Sequence, residues 1–217
     1  MSQRARFARQ DSAPIHHPRF ARYYERASQS EEERRLIEPW RRELLAHARG
    51  VVLEVGAGNG LNFPFYEPGK VTRVEAIEPD PAMLSYARGR QAQARVPLNV
   101  TQARAEALPF EDGSFDCVVA TLVFCSVGDP LRGFQEIRRV LKPGGTLLLL
   151  EHVRAEGRLA AFLQDLITPL TTRFVGNCHW NRNTGQTVLE AGFELRERRS
   201  FKAALLPMLF LQATRPA

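Results

Sequence analysis

Short apolar runs alternate along most of the chain with longer stretches in which apolar residues recur at helical spacing. The runs are rich in valine, isoleucine and leucine, and several end in glycine or acidic residues. A run without alternation, such as the four leucines at 147–150, is typical of a strand covered by helices on both faces. The pattern predicts strands at 50–55, 71–77, 97–103, 115–121 and 146–151.

The stretches between these runs predict helices, because apolar residues at intervals of three and four give each stretch one apolar face. Asp80-Pro81 and Asp129-Pro130 each have the sequence of an N-cap followed by a first-turn proline. Pro39 is expected to restart a helix rather than to interrupt one. The predicted helices cover 31–48, 81–92, 130–141, 156–171 and 184–191.

The C-terminal part of the chain predicts two more strands, at about 193–201 and 207–214, which would form a hairpin at the edge of the sheet. The five earlier strands alternate with helices, which indicates a doubly wound arrangement of mostly parallel strands. The expected fold class is therefore α/β, with a doubly wound, seven-stranded, mostly parallel sheet that ends in a C-terminal antiparallel hairpin.

Composition places the chain among ordinary globular proteins. It has 217 residues, of which 44% are hydrophobic and 25% charged. No apolar run approaches the twenty or so residues of a membrane-spanning helix, and the N-terminus lacks the apolar stretch of a secretory signal. Cys117, Cys125 and Cys178 are scattered and form no CxxC pair, so neither a disulfide framework nor a cysteine-rich zinc site is indicated. We expect a cytoplasmic protein.

Positive charge is concentrated near the N-terminus. The formal net charge is +6, and residues 1–26 contain six arginines but only Asp11 and Glu25 as acids. We expect residues 1–30 to form a basic, partly disordered arm and residues 31–217 to form a single domain. The arm is either a solvated tail or a segment that gives the protein peripheral contact with an anionic membrane surface.

The strand predicted at 50–55 leads into three glycines at alternate positions: Gly56, Gly58 and Gly60. Glycine suits a tight turn that a ligand approaches closely, because it has no Cβ and adopts positive φ at little cost. Glu78 follows the next predicted strand, eighteen positions after Gly60. An acid at this distance can accept hydrogen bonds from ribose hydroxyls, so the two features together indicate a nucleoside-bearing cofactor.

These motifs resemble those of the class I S-adenosylmethionine-dependent methyltransferases, which have a Rossmann-like fold. The resemblance implies S-adenosyl-L-methionine as cofactor and S-adenosyl-L-homocysteine as product, with the glycine turn under the methionine part. It also implies that Glu78 binds the ribose, that Ala105 and Glu106 flank the adenine, and that Thr121 and Leu122 line the floor. The implied cofactor-binding residues are Glu54, Gly56, Gly58, Gly60, Asn62, Glu78, Pro79, Ala105, Glu106, Thr121 and Leu122. The segments that carry the resemblance are 54–60, 78–80, 105–110, 115–116 and 141–145.

Two other nucleotide-binding classes fit less well. A dinucleotide-binding oxidoreductase would have a glycine three positions after Gly58, and Leu61 stands there. A Walker-type phosphate loop is excluded because no Gly-Lys-Ser/Thr follows the glycines.

Four further segments resemble the methyltransferase-like thiol S-methyltransferases of microsomal membranes. These are 62–69, 121–127, 151–153 and 176–178. That family has an N-terminal hydrophobic anchor, whereas this chain begins with a basic arm. The resemblance implies methyl transfer to a small, lipophilic acceptor, most simply a thiol.

The alternatives are N-methylation of phosphatidylethanolamine at a membrane surface and cofactor binding without catalysis. No nucleic-acid partner is expected, since the strand at 115–121 lacks the turn used on base amines and no RNA-binding module is visible. The oligomeric state is left open.

The carboxyl ends of the predicted parallel strands should supply the acceptor site. His152 is the preferred base or substrate-orienting group and Glu151 lies beside it; the alternative for His152 is a structural histidine bonded to a backbone carbonyl. No ligand-spacing motif indicates a metal. The candidate substrate-binding residues are Phe63, Phe124, Cys125, His179 and Trp180.

Overall fold

The computed structural model describes residues 15–204 and 206–217. Seven α-helices follow in chain order: α1 Pro18–Ala27, α2 Glu31–Leu36, α3 Glu38–Leu45, α4 Pro81–Arg90, α5 Pro130–Val140, α6 Arg158–Phe174 and α7 Thr184–Glu190. The strands are β1 Gly50–Val55, β2 Val71–Ile77, β3 Leu98–Thr101, β4 Phe115–Thr121, β5 Leu141–His152, β6 Glu194–Ala203 and β7 Leu206–Thr214. Short 3₁₀ turns lie at Phe63–Phe65 and Gln91–Gln93.

All seven strands form one sheet in the order β3-β2-β1-β4-β5-β7-β6. The first five are parallel, and β7 is antiparallel both to β5 and to β6. The predicted α/β fold and its terminal hairpin are thus confirmed. The strand order reverses between β1 and β4, and ligands of open parallel sheets bind at the carboxyl ends of the strands beside such a point.

Local signals in the sequence account for most element boundaries. The Asp80 carboxylate accepts hydrogen bonds from the backbone of Ala82 and Met83, which caps α4 as predicted. The predicted helix at 31–48 is broken at Ile37, and Pro39 stands in the first turn of α3. The β5 strand begins before the predicted 146, because Leu141 already pairs with Phe115 of β4.

The sheet is covered on both sides by apolar side chains. One core cluster contains Leu44, Val52 and Phe210, and the other contains Leu53, Phe134 and Leu149. Neighbouring residues of β1 thus contribute to opposite faces, as the two-residue period of a strand requires. Among the described residues, none of the helices is long and apolar enough to cross a membrane.

The segment expected as a basic, partly disordered arm contains the helix α1. Ala21 of α1 is completely buried, and the backbone N–H of His17 donates to the Asp80 carboxylate across 2.6 Å. Arg19, Arg22 and Arg26 are exposed at spacings of three and four, so one face of the helix is basic while the opposite side packs. The part of the prediction that concerns residues 1–14 lies outside the described residues.

Candidate active site

The glycine turn after β1 has the backbone conformation that its sequence predicts. Gly56, Gly58 and Gly60 have φ of +67°, +57° and +86°. A Cβ on Gly56 would lie 2.5 Å from Val123, and one on Gly60 would lie 2.8 Å from Phe63, so packing demands glycine at both positions. Within the described part of the chain, a Cβ on Gly58 would meet no atom within 4 Å. Gly58 therefore faces open space.

A buried polar network supports this turn from below. The Glu54 carboxylate accepts hydrogen bonds from the Asn62 amide at 3.0 Å and from the Tyr66 hydroxyl at 2.7 Å. Burial raises the pKa of Glu54 to about 7, although the hydrogen bond from Tyr66 and the charge of Arg41 act in the opposite direction. The implied cofactor residues Glu54 and Asn62 thus brace the turn rather than project into the open space.

Arg41 of α3 completes the network and is a residue that the sequence analysis missed. Its guanidinium donates to the side-chain amide oxygen of Asn62 at 2.7 Å, to the Thr121 hydroxyl at 3.0 Å and to the Glu33 carboxylate at 3.1 Å. Arg41 is almost fully buried. It joins the glycine turn to the end of β4, where Leu122 has a positive φ of +60°. Arg41 therefore holds Thr121, and with it the start of the loop at Leu122, close to the segment that follows the glycine turn.

Glu78 lies at the tip of β2, next to the glycine turn. Its carboxylate accepts hydrogen bonds from the backbone N–H of Gly58 and of Asp80, both at 2.9 Å. Burial raises the pKa of Glu78 to about 7, with the two backbone donors opposing the shift. The carboxylate is thus bound to the backbone of the glycine turn and of Asp80, and its role as the ribose acceptor stays a prediction.

The expected adenine side lies after β3. Ala105 is buried in the core, and the Glu106 carboxylate accepts hydrogen bonds from the backbone of Gly128 and Asp129 at the start of α5. Pro79 lines a surface cleft of about 270 Å³ beside this region. The other residues that line the cleft are Ile15, His16, Pro81, Gln102 and Arg104.

Helix α1 packs against the glycine turn, an arrangement that the sequence did not predict. The Glu25 carboxylate accepts hydrogen bonds from the Asn59 amide at 2.7 Å and from both guanidinium nitrogens of Arg90 at 2.5 and 2.8 Å. The Asn59 amide also donates to the Ser28 hydroxyl. A bidentate arginine–carboxylate pair is among the stronger polar contacts in proteins, so α1 is fixed to the turn.

Three ligand-forming side chains come together at the carboxyl ends of β4 and β5. They are Cys125 from the loop after β4, His152 at the end of β5 and Cys178 from the loop after α6, and their ligand atoms lie within 4.8 Å of one another. Burial lowers the pKa of His152, but its hydrogen bond to Cys125 and the charges of Cys125 and Glu151 outweigh this and leave the pKa raised. His152 is half-buried and follows Leu150, the β5 partner of Thr121, by two positions.

Glu151 differs from its expected role as a catalytic group. It is completely buried, and one carboxylate oxygen accepts hydrogen bonds from the backbone of Val123 and Phe124, both at 2.9 Å. The other oxygen has no hydrogen-bond partner among the described residues. Burial raises the pKa of Glu151 to about 8, with the charge of Cys125 adding to the shift. Glu151 therefore positions the loop that carries Cys125.

Two of the expected substrate-binding residues belong to the loop after α6. His179 Nδ1 contacts the carbonyls of Cys125 at 3.2 Å and Asn177 at 2.8 Å, so this ring is bound to the backbone of two loops. Burial and the charge of Arg182 lower the pKa of His179. Trp180 is half-buried beside it.

Phe63 and Phe124 lie in the core, and this corrects their expected place in the substrate pocket. Phe124 stacks on Phe134 with ring centroids 3.8 Å apart, and Phe63 packs under Gly60. Both rings are completely buried, because the loops that carry them turn inward after β4 and β1.

Comparison with known proteins places this chain in a family. The methyltransferase-domain profile matches residues 53–149. The thiol S-methyltransferase TMT1B of Homo sapiens is 35% identical over 174 residues, which are 73% of this chain and 69% of that protein. TMT1A of Homo sapiens is 36% identical over 71% of this chain and 64% of its own length. The chain thus spans about two thirds of the length of these relatives.

The chain belongs to the class I S-adenosylmethionine-dependent methyltransferases. A demethylmenaquinone methyltransferase of Deinococcus radiodurans is also 36% identical, over 52% of this chain and 48% of that protein. The fold matches a methyltransferase structure from Bacillus halodurans C-125 with a TM-score of 0.70 at 20% identity, covering 81% of this chain and 97% of that one. It also matches geranyl diphosphate methyltransferase in complex with S-adenosylmethionine, with a TM-score of 0.67 at 15% identity over 84% and 86% of the two chains.

The chemistry of the site fits the family's cofactor. The positive-φ turn leaves space at Gly58, and the Glu78 carboxylate borders that space. The cofactor is S-adenosyl-L-methionine, whose sulfonium supplies an activated methyl group. The enzyme's task is then to align an acceptor with that methyl and to exclude water.

Proposed function

We propose that this methyltransferase transfers the methyl group of S-adenosylmethionine to the sulfur of a small, lipophilic thiol. The observation that carries the proposal is the set of side chains at the carboxyl ends of β4 and β5. A half-buried imidazole, His152, stands there with two cysteines, while the neighbouring Glu151 carboxylate is used to bind backbone N–H groups. His152 is the side chain placed to orient the acceptor.

A thiol suits this site better than an amine or an alcohol. A thiol with an ordinary pKa near 8.5 is ionised to a few per cent at neutral pH, so it needs little help to become a nucleophile. An alcohol or a protonated amine needs a strong, well-placed base. The similarity to thiol S-methyltransferases supports the same acceptor class.

Carbon methylation of a quinol is the second candidate, because a demethylmenaquinone methyltransferase is among the similar proteins. The test is incubation of the full chain with methyl-labelled cofactor and a panel of an alkanethiol, an alkylamine, a phenol, a reduced naphthoquinone and phosphatidylethanolamine. We expect label in the thioether. Label in the quinol or the phospholipid alone would replace the proposal with one of its alternatives, and tight cofactor binding without any transfer would support a non-catalytic role.

We also propose that α6 makes peripheral contact with an anionic phospholipid surface. This helix buries its polar side, Gln164, Thr168 and Thr171, against the domain, and Gln164 and Thr171 hydrogen-bond to backbone carbonyls there. Its apolar side is exposed: Leu159, Phe162, Leu163, Leu166, Ile167, Leu170 and Phe174. Such a continuous apolar face marks an interaction surface.

Charge favours lipid as the occupant of that face. Helix α1, with its exposed arginines, reaches the end of α6, where Phe20 lies against Gly176. Arg158 and Arg173 stand at the two ends of α6 itself. Basic residues beside an apolar helix face are typical of helices that lie in the interface of an anionic bilayer.

A further inference from the structure

Cys125, His152 and Cys178 come from three separate segments and share one small volume. Their ligand atoms lie within 4.8 Å of one another, and Cys178 Sγ is 3.9 Å from His152 Nδ1. Two ligands about 2.3 Å from a zinc ion at the tetrahedral angle would stand about 3.8 Å apart. The observed spacing therefore needs little adjustment to accept an ion.

The surrounding contacts hold this arrangement in place. The backbone N–H of His179 donates to the carbonyl of Cys125 at 2.8 Å, and the Thr171 hydroxyl donates to the carbonyl of Cys178 at 2.7 Å. The Arg182 guanidinium donates to the carbonyls of Phe124 and Val127, on both sides of Cys125. The two cysteine-bearing loops are thus tied to each other, which preorganises the three ligands.

We propose that Cys125 and Cys178, which are buried, form with the half-buried His152 a three-ligand site for a thiophilic divalent metal such as Zn²⁺, whose fourth position the acceptor sulfur would take. Two cysteines and one histidine with one open position are a donor set of catalytic zinc sites. No ligand-spacing motif marks this site, because the ligands are 27 and 26 positions apart along the chain. This metal site rests on the proposed function, because its role would be to activate the acceptor thiol.

The proposed step balances without any further reactant. The acceptor thiol binds at the open position and loses its S–H proton to water, because a bound divalent metal favours the thiolate. The metal-bound sulfur then attacks the methyl carbon, and the bond from that carbon to the sulfonium breaks. The electron pair stays on the donor sulfur, which leaves neutral S-adenosylhomocysteine, and the thioether product leaves the metal.

Metal content is the direct test, and it does not depend on activity. The full chain, freed of any affinity tag and purified with Zn²⁺ present, is expected to retain a single equivalent. Titration of the metal-free protein with Co²⁺ is expected to give sulfur-to-metal charge-transfer bands. Cys178→Ala and His152→Ala should each weaken metal binding by roughly 100-fold or more. Loss of a residue that only supports a ligand can already cost that much.

Cys117→Ala is the matched control, because Cys117 is equally buried in β4 but lies outside the cluster. This variant should retain the metal and the cobalt bands, and circular dichroism checks the fold of all variants. The metal site would be overturned if the purified protein contained no zinc and gave no cobalt bands. It would also be overturned if Cys117→Ala lost as much metal affinity as Cys178→Ala. If metal-free protein methylated thiols at the full rate, the inference would fail while the proposed function stood. Stoichiometric zinc without thiol methylation would support the metal site and overturn the proposed function.

Discussion

The Glu25 carboxylate on α1 accepts a hydrogen bond from the Asn59 side-chain amide, 2.7 Å away within the glycine turn. Asn59 is almost fully buried, and its neighbours Gly58 and Gly60 have positive φ. The segment before the first sheet strand thus fixes the glycine turn, where we expect the cofactor to bind.

Removal of this contact should weaken cofactor binding. Glu25→Ala leaves the Asn59 amide and the Arg90 guanidinium without their common acceptor, which costs about 1–3 kcal/mol when the groups are buried. We expect the dissociation constant for S-adenosylmethionine to rise roughly tenfold. Isothermal titration calorimetry measures it, with Glu32→Ala, exposed on α2, as control. Equal affinity in the two variants would show that α1 does not support the turn.

Substitution of Gly58 should act on the ligand rather than on packing. Gly58→Ala places a methyl group in the open space and strains a residue at φ +57°. We expect cofactor binding to fall by at least tenfold, with a stability cost of about 1–2 kcal/mol. Gly69→Ala is the matched control, since Gly69 also has positive φ and open surroundings but lies in the turn before β2. A Gly58→Ala variant that binds cofactor as tightly as Gly69→Ala would contradict the assigned position of the ligand.

Cofactor affinity should depend on pH through Glu78. Its pKa is raised to about 7, so the carboxyl is mostly protonated at pH 6 and mostly ionised at pH 8. Ribose hydroxyls donate to the ionised form, and binding should therefore tighten about tenfold from pH 6 to pH 8. Glu78→Gln should bind more weakly and lose this dependence. If cofactor affinity changed with pH equally in the wild type and in Glu78→Gln, a group other than Glu78 would be responsible.

The stability of the fold should decrease with rising pH because of Glu54, whereas cofactor affinity increases. The pKa of this carboxyl rises from 4.5 to about 7 on folding, so between these values the folded state retains a proton that the unfolded chain loses. The free energy of unfolding should fall with rising pH in this window, by up to about 3 kcal/mol from this group. Urea unfolding of Glu54→Gln should show a shallower fall than the wild type. Glu75→Gln, on the half-exposed side of β2, should leave the wild-type slope unchanged, and an unaltered slope in Glu54→Gln would refute the assignment.

The exposed face of α6 should be required for binding to lipid. Phe162 and Leu166 are 63% and 65% exposed, so serine there costs the folded core little. Each substitution should weaken sedimentation with phosphatidylglycerol-containing vesicles roughly tenfold. Leu189→Ser, on an exposed leucine of α7, is the control. Unchanged sedimentation in the α6 variants, or equal loss in Leu189→Ser, would exclude this face.

The sequence predicted what depends on local patterns. Apolar runs and proline-preceded caps located the strands and most helices, and the glycine turn with Glu78 identified the kind of cofactor. The contacts of Arg41 with Asn62 and Thr121 were not predictable, because nothing local distinguishes that arginine from its neighbour Arg42. The same holds for the cluster of Cys125, His152 and Cys178, which only the folded loops bring together.

The central claim is methyl transfer to sulfur, and the most direct measurement compares acceptors that differ in one atom. An alkanethiol, an alkylamine and an alcohol with the same hydrocarbon tail are each incubated with methyl-labelled S-adenosylmethionine, and kcat/KM is measured for each. We predict that the thiol exceeds both others by at least about 100-fold, because it forms an anionic nucleophile more readily than the alcohol does, while the amine is held in its protonated, non-nucleophilic form. Equal values for the three, or a preference for the amine, would contradict the account.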